Sequence, residues 1–183
     1  MTVKSEIIRP FPQVHPGVRV SPTSYFTSPA VQVGATNGAV SANTAYYQPI
    51  ILPGQTVNRI GINVTTGAAG NCRLALYTNG QGVPSTLILD CGVVDTTNIA
   101  TVLATIADTV LPVEYVWMAS VFDATPTCTI GTVSNSGVLG SQSLATGNRG
   151  LTATFNYAAW TAAAPVTSLA MGNTVPMMAL RRA

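Results

Sequence analysis

The chain is short of charge. Only 8% of its 183 residues are Asp, Glu, Lys or Arg, against about 25% in an ordinary soluble domain. Hydrophobic residues stand at 47%, so the deficit is made up by Thr, Ser, Asn, Gln, Gly and Ala. A surface this poor in ions lacks the usual guard against self-association. It points to a chain whose surface is covered by neighbours, a subunit of an assembly, or to an extracellular particle protein whose polar face is hydroxyl and amide rather than ionic. The few charges are also unevenly placed. Residues 1–35 hold Lys4, Arg9 and Arg19 against Glu6, which leaves them +2. Beyond residue 35, Arg59, Arg73, Arg149, Arg181 and Arg182 are balanced by Asp90, Asp95, Asp108, Glu114 and Asp123. There is no basic stripe, so no nucleic-acid partner is expected.

Histidine is nearly absent. The one imidazole, His15, sits between Val14 and Pro16 in a proline-rich stretch. A Ser-His-Asp or Cys-His arrangement would need its base there, which argues against nucleophilic catalysis. HExxH, GxxxxGK[ST], GxSxG and EF-hand patterns are all missing. Cys72, Cys91 and Cys128 form an odd set without CxxC spacing. They suit neither a disulfide framework nor a zinc site and are expected as buried free thiols on strands. No metal and no cofactor is expected. The five acids after residue 35 show no spacing that sets two of them across a cleft, as glycoside hydrolysis requires. The expectation is therefore a protein that is not an enzyme. No run approaches the ~18 apolar residues of a membrane span. Met1–Ile8 lacks the apolar stretch of a signal peptide, so the chain is expected to be made in a cytoplasm, with no membrane partner.

Proline is plentiful at one end. Pro10, Pro12, Pro16, Pro22 and Pro29 fall in the first 35 residues, out of 12 in the chain. Each fixes its own φ and pushes its predecessor toward extended geometry. The segment 1–35 is read as an extended arm without its own core. It nonetheless carries Phe11, Val14, Val18, Val20, Tyr25 and Phe26, which need a surface to lie on. The candidate anchoring residues are Arg9, Pro10, Phe11, Pro12, His15, Tyr25 and Phe26.

From residue 36 to 183 short apolar runs alternate with turn chemistry. Strands are expected at 44–51, 57–65, 72–78, 86–94, 101–107, 113–122, 127–133, 151–157 and 174–180. Pro53-Gly54, Asn79-Gly80, Gly82 with Pro84, and Asn135 to Gly137 punctuate them. In Arg73-Leu74-Ala75-Leu76-Tyr77, Leu74 and Leu76 face one side while Arg73, Ala75 and Tyr77 face the other. The segment from Asn79 to Pro84 makes the hairpin connection. Of Tyr115 and Trp117, one is expected in the core. Helix is hard to place: 98–108 is crowded by Thr and Val, and Ala158 to Ala164 is interrupted by Trp160 and followed by Pro165. The fold class is all-β, an antiparallel jelly-roll-like β-sandwich with an extended N-terminal arm.

The order Arg73-Leu74-Ala75-Leu76-Tyr77, Gly-rich loop, Pro84, Leu87 to Val94 with Asp90 and Gly92, then Tyr115-Val116-Trp117-Met118-Ala119 resembles β-sandwich modules of tailed-bacteriophage virion proteins: fibre, receptor-binding and decoration proteins. Tyr46-Tyr47-Gln48-Pro49 and Arg59-Ile60-Gly61-Ile62 resemble the strands that open such modules. The likeness spans residues 44–122. It implies a non-enzymatic virion protein, a capsid decoration or head-fibre subunit. The arm would then bind the major capsid protein or neighbouring structural proteins, and the subunit would form a homotrimer. The alternative it implies is a tail-tip or fibre module that recognises host-surface glycan. For that alternative, Phe155, Tyr157 and Trp160 are the candidate ligand face, since rings stack on sugars and nearby amides bind hydroxyls. It requires Tyr157 and Trp160 to be exposed together.

Overall fold

The computed structural model describes residues 25–28, 31–32, 36–52, 54–112, 114–133 and 148–183. Fourteen strands run through them: β1 Tyr25–Thr27, β2 Val31–Gln32, β3 Asn37–Ala39, β4 Thr44–Ile51, β5 Thr56–Thr66, β6 Asn71–Gly80, β7 Val83–Asp95, β8 Ala100–Val110, β9 Tyr115–Phe122, β10 Thr127–Thr129, β11 Thr132–Val133, β12 Gly150–Thr154, β13 Ala170–Gly172 and β14 Met178–Arg182. No helix occurs among the described residues. The first sheet follows the order β1-β14-β5-β10-β3, with β8 on the other side of β5. In it β14 and β10 share one edge of β5: β14 covers Val57 to Ile62, and β10 meets Val64 and Thr66. The second sheet runs β13-β12-β4-β9-β6-β7, and β2 pairs with β11 apart from both. Every pairing is antiparallel. The architecture is an antiparallel β-sandwich.

Strand parity builds the core. Tyr46, Ile50, Leu74, Leu76, Met118 and Phe122 from the second sheet meet Ile60, Ile62, Val64, Met178 and Leu180 from the first. Their neighbours along the chain, Tyr47, Ala75, Tyr77, Trp117 and Ala119, are buried on the opposite face of the second sheet. Leu74 and Leu76 therefore do part from Ala75 and Tyr77, but both sets are covered. A strand buried on both faces reads as a nearly continuous apolar run, and from Val116 to Phe122 every residue is buried. Trp117 is buried, with its Nε1 donating to Asn79 Oδ1 at 3.0 Å, while Tyr115 is exposed. All three cysteines are buried free thiols.

Polar groups between the sheets are few, and one of them, the buried Ser120 hydroxyl, has no partner among the described residues. The Gln48 amide lies wholly inside. Its Oε1 accepts from the Met178 N–H of the opposite sheet at 3.0 Å, and its Nε2 donates to the Arg149 carbonyl at 3.1 Å. The hairpin between β6 and β7 is tighter than the stretch from Asn79 to Pro84. Its two turn residues are Gln81 and Gly82, with φ of 56° and 90°, as a two-residue hairpin of type I′ needs.

Several expectations are corrected. Tyr25 and Phe26, assigned to the arm, lie in β1, which pairs with β14 at the edge of the first sheet. Phe26 packs against the core. Val31 and Gln32, also within the supposed arm, pair with β11. Pairing outweighs the local proline content here, so the sandwich begins before residue 36. Arg9, Pro10, Phe11, Pro12 and His15 lie outside the described residues. The stretch 98–108 falls within β8 and its approach, consistent with its Thr and Val content. The closing strand is Met178–Arg182 rather than 174–180, and its two arginines are half-buried.

Candidate functional site

The aromatic trio expected as a ligand face lies in a strap. After β12 the chain crosses the outer face of the second sheet toward β7. Leu87 N–H donates to the Ala162 carbonyl at 2.8 Å, Ala164 N–H donates to the Ser85 carbonyl at 2.6 Å, and Thr86 bridges Ala163. Two tyrosines rising from the sheet hold the strap from below. Tyr47 Oη donates to the Pro165 carbonyl at 3.0 Å, and Tyr77 Oη to the Thr161 carbonyl at 3.0 Å. Burial raises both phenol pKa values, that of Tyr77 to about 12.

Trp160 is the plug beneath this strap. It is 6% exposed. Phe155 stacks on it at 5.1 Å and 12°, and Tyr77 meets it edge-on at 5.8 Å and 78°. The required joint exposure of Tyr157 and Trp160 is therefore not met: the indole packs against the sheet and offers no face to a sugar. Phe155 and Tyr157 are half-buried. Tyr157 N–H donates to Asn43 Oδ1 at 2.9 Å. Its phenol pKa is raised, first by burial and then by the Asp123 charge, with Arg73 opposing. Arg73 itself is paired with Asp90 at 3.1 Å.

A second place, which sequence reasoning missed, lies on the outer face of the first sheet. It is a trough of about 450 Å³ lined by residues from β1, β14, β5 and β8. Cross-strand register lays its walls and floor out in rows. Thr27, Ala179, Gly61 and Leu103 form one row across the four strands. Ala179 contributes only a methyl to the floor, and over Gly61 the Leu103 side chain leans into the space that a Cβ would take. A Cβ on Gly61 would collide with the Val102 carbonyl oxygen and with Leu103 Cδ2. One end is polar: Thr101 Oγ1 donates to Asn63 Oδ1 at 2.9 Å, and Asn63 Nδ2 donates to Thr129 Oγ1 at 2.9 Å. At the other end Tyr25, Arg181, Arg59 and Thr105 form the next row.

Sequence reading missed this trough because its defining features are a missing side chain and a register between distant strands. Among the described residues no group of three or more His, Cys, Asp or Glu side chains is placed to hold a metal. No protein-family model matches the chain, and no curated protein matches it.

Proposed function

We propose that this chain is a non-enzymatic structural subunit of a tailed-phage particle, a capsid decoration or head-fibre protein anchored from its N-terminal end. In this reading it is a jelly-roll-like sandwich that resides in the virion and assembles as a homotrimer with neighbouring virion proteins as partners. The resemblance of residues 44–122 to virion modules motivates it. One structural observation supports it most. Four exposed apolar residues, Ile51, Val83, Val110 and Tyr115, gather at one end of the sandwich, while Ile99 and Val93 lie toward the other. Register places the four together: Ile51 is opposite Tyr115, Thr78 is opposite Val116 just before the hairpin that carries Val83, and Val110 is opposite Thr56.

β1 enters the first sheet from the same end, because Tyr25 is opposite Arg181 and the next residue of β14, Arg182, is opposite Val57 near the start of β5. Apolar surface gathered at one end of a chain with 8% charge suits coverage by another protein. Residues of the arm that precede Tyr25 would reach that partner from the same side.

The test is fractionation of virions purified from a culture in which the chain is encoded. The expected result is a fixed copy number per particle that survives a density gradient, lowered by Tyr115→Asp or Val110→Asp in a protein that stays folded. Absence of the chain from purified particles would sink the reading. Sedimentation velocity tests the trimer separately, and a monomer at micromolar concentration contradicts it.

A further inference from the structure

The outer face of the first sheet carries two features that a particle role leaves unused. One is the trough. Its volume of about 450 Å³ falls within the ~300–1,000 Å³ of small-ligand pockets, and it mixes an exposed ring with a few polar groups. The other is unmatched positive charge. Arg59 and Arg181 are register partners one row along from Gly61 and Ala179. Residues two apart on a strand share a face, so both arginines rise on the trough's side of the sheet, just beyond the lining residues Gly61 and Ala179. Like charges directly opposite each other destabilise a ladder. Yet among the described residues the one ion pair is Arg73 with Asp90, and Arg181 Nε is buried with no acceptor. A planar guanidinium is matched by a carboxylate in a two-pronged bond.

We propose that the trough is a binding site for a carboxylated sugar of the hexuronate class. The ring lies over Ala179, beside the Leu103 side chain that covers Gly61 and against Tyr25, which is 46% exposed. The carboxylate bridges Arg59 and Arg181. Ring hydroxyls meet Thr27 and Asn63. The bonds from Thr101 and to Thr129 fix the Asn63 amide plane and leave it one N–H and one lone pair for the ligand. A neutral sugar would leave the guanidiniums unmatched. An extended peptide fits less well, because the trough lies on the face of the sheet, where backbone donors and acceptors are already spent in the ladder. The inference is independent of the particle reading, so a failure here leaves that reading standing.

The experiment is titration of the intact chain with glucuronate and oligogalacturonate, followed by amide NMR, with glucose and a poly-glutamate peptide as comparisons. Saturable shifts are expected at Tyr25, Gly61 and Leu103, with glucuronate binding at least roughly 10-fold more tightly than glucose, the scale of a charge-assisted hydrogen bond. Arg181→Gln should remove a similar factor. Ala179→Leu, which fills the floor from the solvent side, should abolish binding while the remaining spectrum stays native. If either variant fails to fold, the wild type still decides through the glucose comparison and the position of the shifts. The proposal is overturned by an absence of shifts at millimolar ligand, by equal affinity for glucose and glucuronate, by shifts that map to Tyr157 and the opposite sheet, or by preference for the acidic peptide.

Discussion

Trp160→Ala removes the plug beneath the strap, and the structure sets the size of the effect. The indole is 6% exposed and contacts three rings: Phe155 in a stack at 5.1 Å, Tyr77 edge-on at 5.8 Å and Tyr47 at 6.4 Å. Its Nε1 has no hydrogen-bond partner among the described residues, so the loss is one of packing. Truncating a buried Trp costs about 3–5 kcal/mol. In a domain of this size 1 kcal/mol moves Tm by about 2–4 °C, so a fall of roughly 6–20 °C is expected. Thermal unfolding followed by circular dichroism reads it directly. Trp160→Phe should recover part of the loss by keeping a ring against Phe155. A fall below about 2 °C would mean that Trp160 is a surface ring after all. The strap would then be open, and the aromatic trio would return as a ligand face.

Other outcomes follow from the same geometry. Gln48→Leu strands the buried Met178 N–H and the half-buried Arg149 carbonyl, and at about 1–3 kcal/mol per unmet group should lower stability by roughly 2–6 kcal/mol in urea titration; no change would mean the amide does not tie the sheets. Burial raises the pKa of the Cys91 and Cys128 thiols from near 9 to about 12 and of the Tyr77 phenol from 10 to about 12. The folded chain therefore holds protons that the unfolded chain releases. Stability should be level below about pH 9 and fall by about 1.4 kcal/mol per pH unit for each group as pH rises toward the folded values; a urea midpoint as high at pH 10.5 as at pH 8 contradicts this. Gln81→Asn should raise stability by about 0.5–1 kcal/mol, since Asn tolerates the φ of 56° at that turn better than Gln; a loss in the urea midpoint would argue against a type I′ turn.

Much of the sandwich was legible because its strands declare themselves. The stretch 44–51 coincides with β4, and 57–65 lies inside β5. Burial on both faces makes Val116 to Phe122 a continuous apolar run that turn residues bound on either side. That one of Tyr115 and Trp117 is buried was visible; which one, and the bond from Trp117 to Asn79, was not. What escaped has a common cause, which is dependence on partners distant in sequence. β1 follows a proline-rich stretch and becomes a strand because β14, the last strand, offers it an edge. The three residues of β13 lack any periodicity of their own and exist through pairing with β12. Phe155, Tyr157 and Trp160 have the composition of a sugar platform, and only Tyr47 and Tyr77 beneath them reveal a packed strap. The trough needs Gly61 and Ala179, residues without a motif, to fall side by side.

The anchoring account can be tested at one junction. Because Tyr25 and Phe26 belong to the first sheet, a deletion that probes the arm must stop at residue 24; a longer one would strip β1 and confuse unfolding with lost anchorage. Co-sedimentation of the full chain and of residues 25–183 with particles lacking this protein separates the two. The account predicts that the shortened chain keeps its unfolding temperature but loses most of its particle binding. Undiminished binding by residues 25–183 would contradict it.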